Sequence, residues 1–237
     1  MIKGKIQSIQ TLGTLDGPGI RYVVFMQGCP LRCSCCHNPD TWDFSGGTEW
    51  LASDILENLL RYKSYFGTEG GITVSGGEAL AQSQFVFELF TLCKNEGIHT
   101  CLDTSGCILD DEAKKLLTVT DLVLLDIKFT NEQDYQKYVK GSYQKTLKFL
   151  DYLEDNKIDT WLRQVIISGI NDTTENIELL SDISKSHSCV KKTELLAFRK
   201  LCTTKYESLG IEFPFKNIPE TTKKQIEKLN KYLNLTK

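Results

Sequence analysis

Short apolar runs alternate along the chain with longer segments of amphipathic, helical periodicity. Six runs rich in Val, Ile and Leu predict β-strands: Tyr22–Gln27, Ile72–Ser75, Ile98–Asp103, Leu122–Ile127, Trp161–Ile167 and Glu194–Phe198. Each is followed by a predicted helix: Trp50–Lys63, Gln82–Asn95, Asp111–Leu117, Tyr143–Asn156, Thr174–Lys185 and Glu220–Tyr232. This alternation predicts parallel strands with right-handed crossovers, in a sheet covered on both faces.

Six strand–helix units are two fewer than a complete eight-fold barrel contains. We therefore expect an α/β fold, a partial (βα)6 TIM-like barrel with parallel strands. No Pro/Ser-rich linker or low-complexity tract divides the chain, so a single domain over residues 1–237 is predicted, with a core over about 15–200 and a C-terminal helical region over 201–237. In such barrels the chemistry lies beyond the C-terminal ends of the strands.

Charge and cysteine content narrow the class of protein. The net charge of −3 does not favour a nucleic-acid partner. No apolar run is long enough to span a membrane, and Met1–Ile6 lacks the apolar core of a secretory signal, so we expect a cytoplasmic protein. Nine cysteines without such a signal indicate reduced thiols and metal ligation rather than disulfides.

Four of the cysteines lie within eight residues after the first predicted strand. Cys29, Cys33 and Cys36 form a Cys-x3-Cys-x2-Cys pattern. Three thiolates can ligate three irons of a [4Fe–4S] cluster and leave the fourth iron open to another ligand. A zinc site is the alternative, but it usually needs a closed set of four ligands, and no matching Cys or His pair lies nearby in the sequence. The pattern favours a cluster.

Polar and glycine-rich residues follow the next three strands. Gly76-Gly77-Glu78 ends the second strand, and a double glycine lets backbone approach a ligand closely. Asp103-Thr104 ends the third strand and Asp126-Ile127-Lys128 the fourth. Carboxylates at these places can bind a cation or an ammonium group, and Lys128 can pair with a carboxylate. Taken alone, the double glycine is more often just a turn, and each aspartate motif is more often a structural ion pair at the end of a strand.

The cysteine triplet and the Gly-Gly-Glu turn together resemble the radical S-adenosylmethionine (SAM) superfamily. Gly13–Arg21 resembles the opening loop of the enzymes that activate glycyl-radical enzymes, and Cys36–Asp43 and Lys94–Thr104 resemble those that act on pyruvate formate-lyase. No cysteine lies between Cys36 and Cys93, where many other activating enzymes carry a ferredoxin-like insert. The resemblance covers residues from about 4 to about 196 and weakens after Leu201.

The resemblance implies an activity. A [4Fe–4S] cluster would bind SAM at its open iron and cleave it reductively, and the 5′-deoxyadenosyl radical would take hydrogen from a backbone glycine of pyruvate formate-lyase. Flavodoxin or ferredoxin would supply the electron to a monomeric enzyme, with no catalytic residue beyond the cluster and SAM ligands. The alternatives are an activating enzyme for another glycyl-radical enzyme, or an iron–sulfur electron-transfer or zinc module without SAM chemistry.

The resemblance also assigns residues. Cluster ligation falls to Cys29, Cys33 and Cys36, and a monovalent cation to Asp103, Thr104 and Asp126. SAM contacts fall to Cys35, His37, Gly76, Gly77, Glu78, Asp126, Ile127, Lys128, Arg163, Val165 and Arg199. Within that set the Gly-Gly-Glu turn holds the SAM amino group, Arg163 its carboxylate and Val165 its adenine. The chain departs from the family at Cys35, usually aromatic, and at Arg199, where Pro-Tyr-His-like residues are usual.

Overall fold

The computed structural model describes residues 2–235, and its eight strands form one open sheet in the order β3-β1-β2-β4-β5-β6-β7-β8. The strands are β1 Lys3–Gly13, β2 Arg21–Met26, β3 Thr48–Leu51, β4 Gly71–Gly76, β5 His99–Thr104, β6 Leu122–Asp126, β7 Thr160–Ile166 and β8 Val190–Ala197. The six strands expected from the sequence correspond to β2 and β4–β8. The predicted partial barrel is therefore confirmed, with two further strands.

The helices are α1 Ala52–Leu60, α2 Ser83–Asn95, α3 Asp111–Leu117, α4 Glu132–Asp134, α5 Tyr143–Asp155, α6 Thr174–Ser186, α7 Thr203–Ser208 and α8 Lys223–Leu235. All six predicted helices are present. The start of α8 is set by Thr222, whose hydroxyl accepts the backbone amide of Gln225 and so caps the helix three residues later than predicted. None of the helices described in residues 2–235 is both long and apolar enough to cross a membrane.

Two compact units divide the chain: residues up to Pro30 with Thr41–Leu124, and Leu31–Asp40 with Leu125 onward. In the first unit β2, β4 and β5 pair in parallel, and their buried apolar faces account for the strong sequence signal. In the second unit β7 and β8 pair in parallel, and α4 leads into a π-helical turn over Tyr135–Val139. The single-domain assignment stays a prediction, and Met1 and the last two residues of its range lie outside the described residues.

At the N-terminal edge of the first unit, the structure differs from the prediction. β1 pairs antiparallel with β2 on one side and with β3 on the other. Its polar positions alternate with apolar ones, so it lacks the continuous apolar run that marks a strand buried on both faces. Gly4 lies against the ring of Phe85, and a Cβ there would come within 2.4 Å of it. β1 is thus a half-buried strand with a close helix contact.

The predicted helix over Trp50–Lys63 begins too early. Trp50 and Leu51 pair with Gly4 and Lys3 of β1, so this stretch is strand until α1 starts at Ala52. Pairing with β1 satisfies their backbone groups, and this tertiary hydrogen bonding outweighs the helical periodicity of the segment. The helix then ends at Leu60, three residues short of the predicted end.

Candidate functional site

The Gly76-Gly77 turn is built by close backbone packing in the first unit. Gly76 has a φ of +110°, and a Cβ there would lie 2.2 Å from the amide nitrogen of Met26. A Cβ on Gly77 would lie 2.3 Å from the carbonyl oxygen of Gly28. The turn is tied to the same backbone by hydrogen bonds from Gly77 to Met26 and from Glu78 to Gly28, both 2.9 Å. Only glycine fits these positions, and the turn is held beside the residue that precedes Cys29.

Glu78 is buried, and its carboxylate accepts hydrogen bonds from groups of its own unit. Oε1 accepts the Leu80 amide at 3.1 Å and the Thr104 hydroxyl at 2.6 Å. Oε2 accepts the Ser105 amide at 3.1 Å and the Ser105 hydroxyl at 2.5 Å. The Cys107 thiol lies 3.9 Å from Oε2. Glu78 therefore joins the turn after β4 to the loop after β5, and these four bonds leave little of its acceptor capacity for a ligand.

Asp103 and Thr104 end β5 and have different partners. The Ser75 hydroxyl donates to Asp103 at 2.7 Å. The Thr104 hydroxyl donates to Glu78 and accepts the Gly106 amide at 3.0 Å. The Thr104 side chain is thus committed to the protein, whereas the Asp103 carboxylate lies half-buried at the strand end.

The opening loop Gly13–Arg21 is tied to the N-terminal ends of the strands through Arg21. This guanidinium is fully buried and donates to the Thr73 hydroxyl at 3.0 Å and to the carbonyl of Glu69 at 3.2 Å. The Thr73 hydroxyl in turn donates to the carbonyl of Asp16 at 2.6 Å. Burial lowers the pKa of Arg21, and Cys101, Asp121 and Asp16 oppose this shift. Arg21 is the structural anchor of the loop.

In the second unit, Asp126, Lys128 and Arg163 form a nearly buried ion cluster. The Asp126 carboxylate lies 2.5 Å from the Lys128 ammonium and 3.2 Å from Nε of Arg163. Burial would raise the pKa of Asp126, but the charges of Lys128 and Arg163 outweigh it and hold that pKa below its usual range. Two cations and one carboxylate leave one net positive charge, which suits an anionic ligand group.

The strand ends around this cluster are fixed by backbone bonds. The buried Ile127 donates its amide to the carbonyl of Arg163 at 2.9 Å. The Lys128 amide donates to the Tyr135 hydroxyl at 3.0 Å. Val165 lies on β7, two residues after Arg163, and is half-buried. Four predicted SAM contacts, Asp126, Lys128, Arg163 and Ile127, thus come together in this unit.

The loop Leu31–Asp40 carries Cys33, Cys35, Cys36 and His37. The Cys36 amide donates to the carbonyl of Cys33 at 3.0 Å, so these two cysteines share one turn. The Asn38 amide donates to the sulfur of Cys36 at 3.4 Å. Burial, partly opposed by the charge of Lys128, raises the pKa of the Cys35 thiol to about 11, so Cys35 stays a neutral thiol at pH 7. The choice of Cys36 as the ligand stays a prediction.

The loop is held by segments that are distant in the sequence, and the sequence of the loop itself does not predict these contacts. The amides of Arg32 and Ser34 donate to the carbonyls of Val139 and Tyr138 at 3.0 and 2.7 Å. These carbonyls belong to the π-helical turn, a local irregularity that has no periodic signal in the sequence.

The segment after β8 makes further contacts with this loop. His37 Nε2 lies 2.8 Å from the carbonyl oxygen of Arg199, whereas the Arg199 side chain pairs with Glu220 at 3.3 Å. The predicted SAM contact at Arg199 therefore has a protein partner. Lys205 and Tyr206, which sequence reasoning missed, also contact the loop.

The family model described as the Radical SAM superfamily matches residues 23–180. This match covers more than half of the chain and includes Cys29, Cys33, Cys35 and Cys36. The chain belongs to the radical SAM superfamily. The glycine turn after β4 and the cysteine loop after β2 are thus elements of a radical SAM protein.

Named relatives of this radical SAM chain match over nearly its full length. The pyruvate formate-lyase-activating enzyme of Clostridium pasteurianum is 44% identical over 235 residues, 98% of each chain. The pyruvate formate-lyase 1-activating enzyme of Escherichia coli (strain K12) is 39% identical over 229 residues, 95% of this chain and 93% of the relative. The predicted family is confirmed, down to the group of enzymes named for activating pyruvate formate-lyase.

Solved structures support the radical SAM fold. Streptococcus suis SuiB bound to precursor peptide SuiA superposes with a TM-score of 0.70 at 15% identity, over 90% of this chain and 44% of that longer chain. A domain of pyruvate-formate lyase-activating enzyme from Bacteroides vulgatus superposes with a TM-score of 0.59 at 19% identity, over 70% of this chain and 94% of that one. At these identities the likeness concerns the fold.

The donor set of this radical SAM chain suits an iron–sulfur cluster by its chemistry. None of the nine cysteines, all of which lie within residues 2–235, forms a disulfide, and Cys33 and Cys36 lie in one turn. Cys29 belongs to the first unit and Cys33 and Cys36 to the second, so ligation by all three stays a prediction. Within residues 2–235, no group of three His, Cys, Asp or Glu side chains is preassembled to hold a metal ion.

Proposed function

We propose that the chain generates a glycyl radical on pyruvate formate-lyase by reductive cleavage of SAM. The observation that carries the proposal is the nearly full-length similarity, at 39–44% identity, to enzymes named for activating pyruvate formate-lyase. A [4Fe–4S] cluster with bound SAM supplies the one-electron chemistry that cleaves SAM and takes hydrogen from a backbone glycine. The protein residues bind, orient and shield these groups.

Cluster ligation falls to Cys29, Cys33 and Cys36 in this proposal. Their spacing supplies three thiolates and leaves one iron open for SAM. The amide of Asn38 already points at the sulfur of Cys36, and such bonds adjust the charge on a ligand sulfur. Cys35 lies beside the ligands as a neutral thiol, in the place where an aromatic residue is expected near adenine.

Several residues are assigned to the orientation of SAM. The net positive charge of Asp126, Lys128 and Arg163 favours the SAM carboxylate. Val165 is assigned to the adenine. The backbone of Gly76 and Gly77 is assigned to the SAM amino group, with His37 completing the set of contacts. The hydrogen bonds of Glu78 support an indirect role, in which the carboxylate fixes the turn that carries these glycines.

The remaining assignments are proposals of the same kind. A monovalent cation would be bound by Asp103, Thr104 and Asp126, each of which also has a partner in the protein: Ser75 for Asp103, Glu78 for Thr104 and Lys128 for Asp126. Flavodoxin or ferredoxin would supply the electron. We propose that the enzyme is a single-domain, cytoplasmic monomer.

The test is electron paramagnetic resonance (EPR) spectroscopy on an anaerobic mixture of the reconstituted protein, SAM, a reductant and pyruvate formate-lyase. We expect a glycyl-radical doublet that disappears when any component is omitted. The matched control is a pyruvate formate-lyase variant with alanine in place of the radical glycine. Release of 5′-deoxyadenosine without a doublet would point to a different glycyl-radical partner. A cluster-loaded protein that gives neither signal would refute the proposal.

A further inference from the structure

The cysteine loop is clasped by residues that lie about 170 positions later in the chain. We use the term C-terminal clasp for Lys205 and Tyr206 of α7. The Tyr206 hydroxyl donates to the carbonyl oxygen of Cys36 at 3.2 Å. The Lys205 ammonium lies 2.9 Å from Oδ1 of Asn38 and 3.1 Å from Oδ1 of Asp40. All these contacts are within the second unit.

The Tyr206 side chain of the clasp is held in place by its packing. Tyr206 is 1% exposed, and its ring packs on Phe213 with 4.8 Å between the ring centroids. Phe213 packs in turn on the fully buried Phe198. The Tyr206 hydroxyl therefore has little freedom, and the Cys36 carbonyl is held where this hydroxyl lies.

Two routes lead from the clasp to the Cys36 sulfur. The Tyr206 bond fixes the peptide group that follows the Cys36 α-carbon, and so the direction of its side chain. Lys205 holds the side chain of Asn38, whose backbone amide donates to that sulfur at 3.4 Å. Partners behind a metal ligand orient it, and hydrogen bonds to cluster sulfurs help to set the reduction potential.

We propose that Lys205 and Tyr206 are positioning residues that orient Cys36 and its Asn38 hydrogen bond for the cluster. They thereby slow the loss of iron and keep the cluster easier to reduce, since an N–H donor stabilises the extra negative charge of the reduced state. The inference rests on the proposed function, in which Cys36 is a cluster ligand. It gives the segment after Leu201, where the family resemblance weakens, a role in the metal site.

The test compares the variants Tyr206→Phe and Lys205→Met after anaerobic reconstitution. Tyr206→Phe removes one hydroxyl and keeps the ring, and Lys205→Met removes the charge and keeps the length. Matched controls in the same unit are Tyr152→Phe on α5 and Lys228→Met on the exposed face of α8. We expect iron to leave each clasp variant for a chelator about tenfold faster, the low end for loss of a partner behind a metal ligand.

A second measurement does not depend on turnover. EPR-monitored redox titration should show a more negative midpoint potential in both clasp variants, whereas the two controls keep the wild-type midpoint.

Wild-type iron release and an unchanged midpoint in Tyr206→Phe and Lys205→Met would overturn the inference and leave the proposed function intact. Equal acceleration in the control variants would also overturn it, because the effect would then not depend on the clasp. Wild-type protein that loads no cluster would refute the proposed function, and the inference with it.

Discussion

The carboxylate of Glu78 offers a sharp test of how the turn after β4 is held. Its Oε1 accepts the backbone amide of Leu80 and its Oε2 the backbone amide of Ser105, both at 3.1 Å. The variant Glu78→Gln keeps the size of the side chain but replaces one acceptor oxygen with an NH2 donor. Whichever way the new amide points, one of the two buried backbone amides faces a donor and loses its acceptor.

The expected cost follows from this geometry. A buried donor without an acceptor costs about 1–3 kcal/mol, and the other bonds weaken because they are no longer assisted by charge. We expect Glu78→Gln to lower the free energy of unfolding of the cluster-free protein by about 2–4 kcal/mol. Urea denaturation followed by tryptophan fluorescence measures this, and a slope near 3 kcal/mol/M turns it into a midpoint shift of about 1 M.

The control is Glu69→Gln, at an exposed side chain of the same unit. This change should leave the free energy of unfolding within about 0.5 kcal/mol of wild type, as surface substitutions usually do. If Glu78→Gln and Glu69→Gln unfold at the same urea concentration, the hydrogen bonds of Glu78 do not hold the turn. Glu78 would then again be a candidate for direct contact with SAM.

Three further predictions concern other parts of the chain. Lys128→Met should weaken SAM binding about tenfold with the cluster intact, as expected when one charge-assisted bond is lost; an unchanged Kd in a SAM titration would exclude Lys128 from the site. Cys35→Ala should retain the brown cluster absorption that Cys33→Ala loses, and the reverse result would reassign the ligands. The hydrogen bond from the Cys189 amide lowers the pKa of the Glu154 carboxyl to about 2. The stabilising effect of this hydrogen bond is therefore present above pH 4.5 and is lost as the pH falls towards 2. The urea midpoint of Glu154→Gln should therefore change less with pH over that range than the urea midpoint of the wild-type protein.

The parallel strands were predictable because burial on both faces leaves a continuous apolar run, as in Leu122-Val123-Leu124-Leu125. β1 was missed because only one of its faces is buried, and Trp50 was placed in a helix because its pairing with Gly4 is a tertiary contact. Sequence pattern reports the local environment of a residue. It does not show which strand, distant in the sequence, a segment will pair with.

In the candidate site, too, local patterns were predictable from the sequence and tertiary contacts were not. The cysteine spacing and the two glycines were recognisable because each is a local pattern with a direct chemical reason. Glu78 was assigned to SAM, yet its carboxylate is occupied by Leu80, Thr104 and Ser105. Tyr206 was not found at all, since an isolated tyrosine carries no signal that it will meet Cys36 across 170 residues.

The distance along the chain between the cysteine loop and its clasp has a consequence for biosynthesis. The ribosome makes Cys33 and Cys36 about 170 residues before it makes Lys205 and Tyr206. Because synthesis adds about 5–20 residues per second, the thiols wait roughly ten seconds or more for their clasp. The loop reaches its final conformation only after Lys205 and Tyr206 have been synthesised, so in the proposed function stable iron incorporation follows their synthesis.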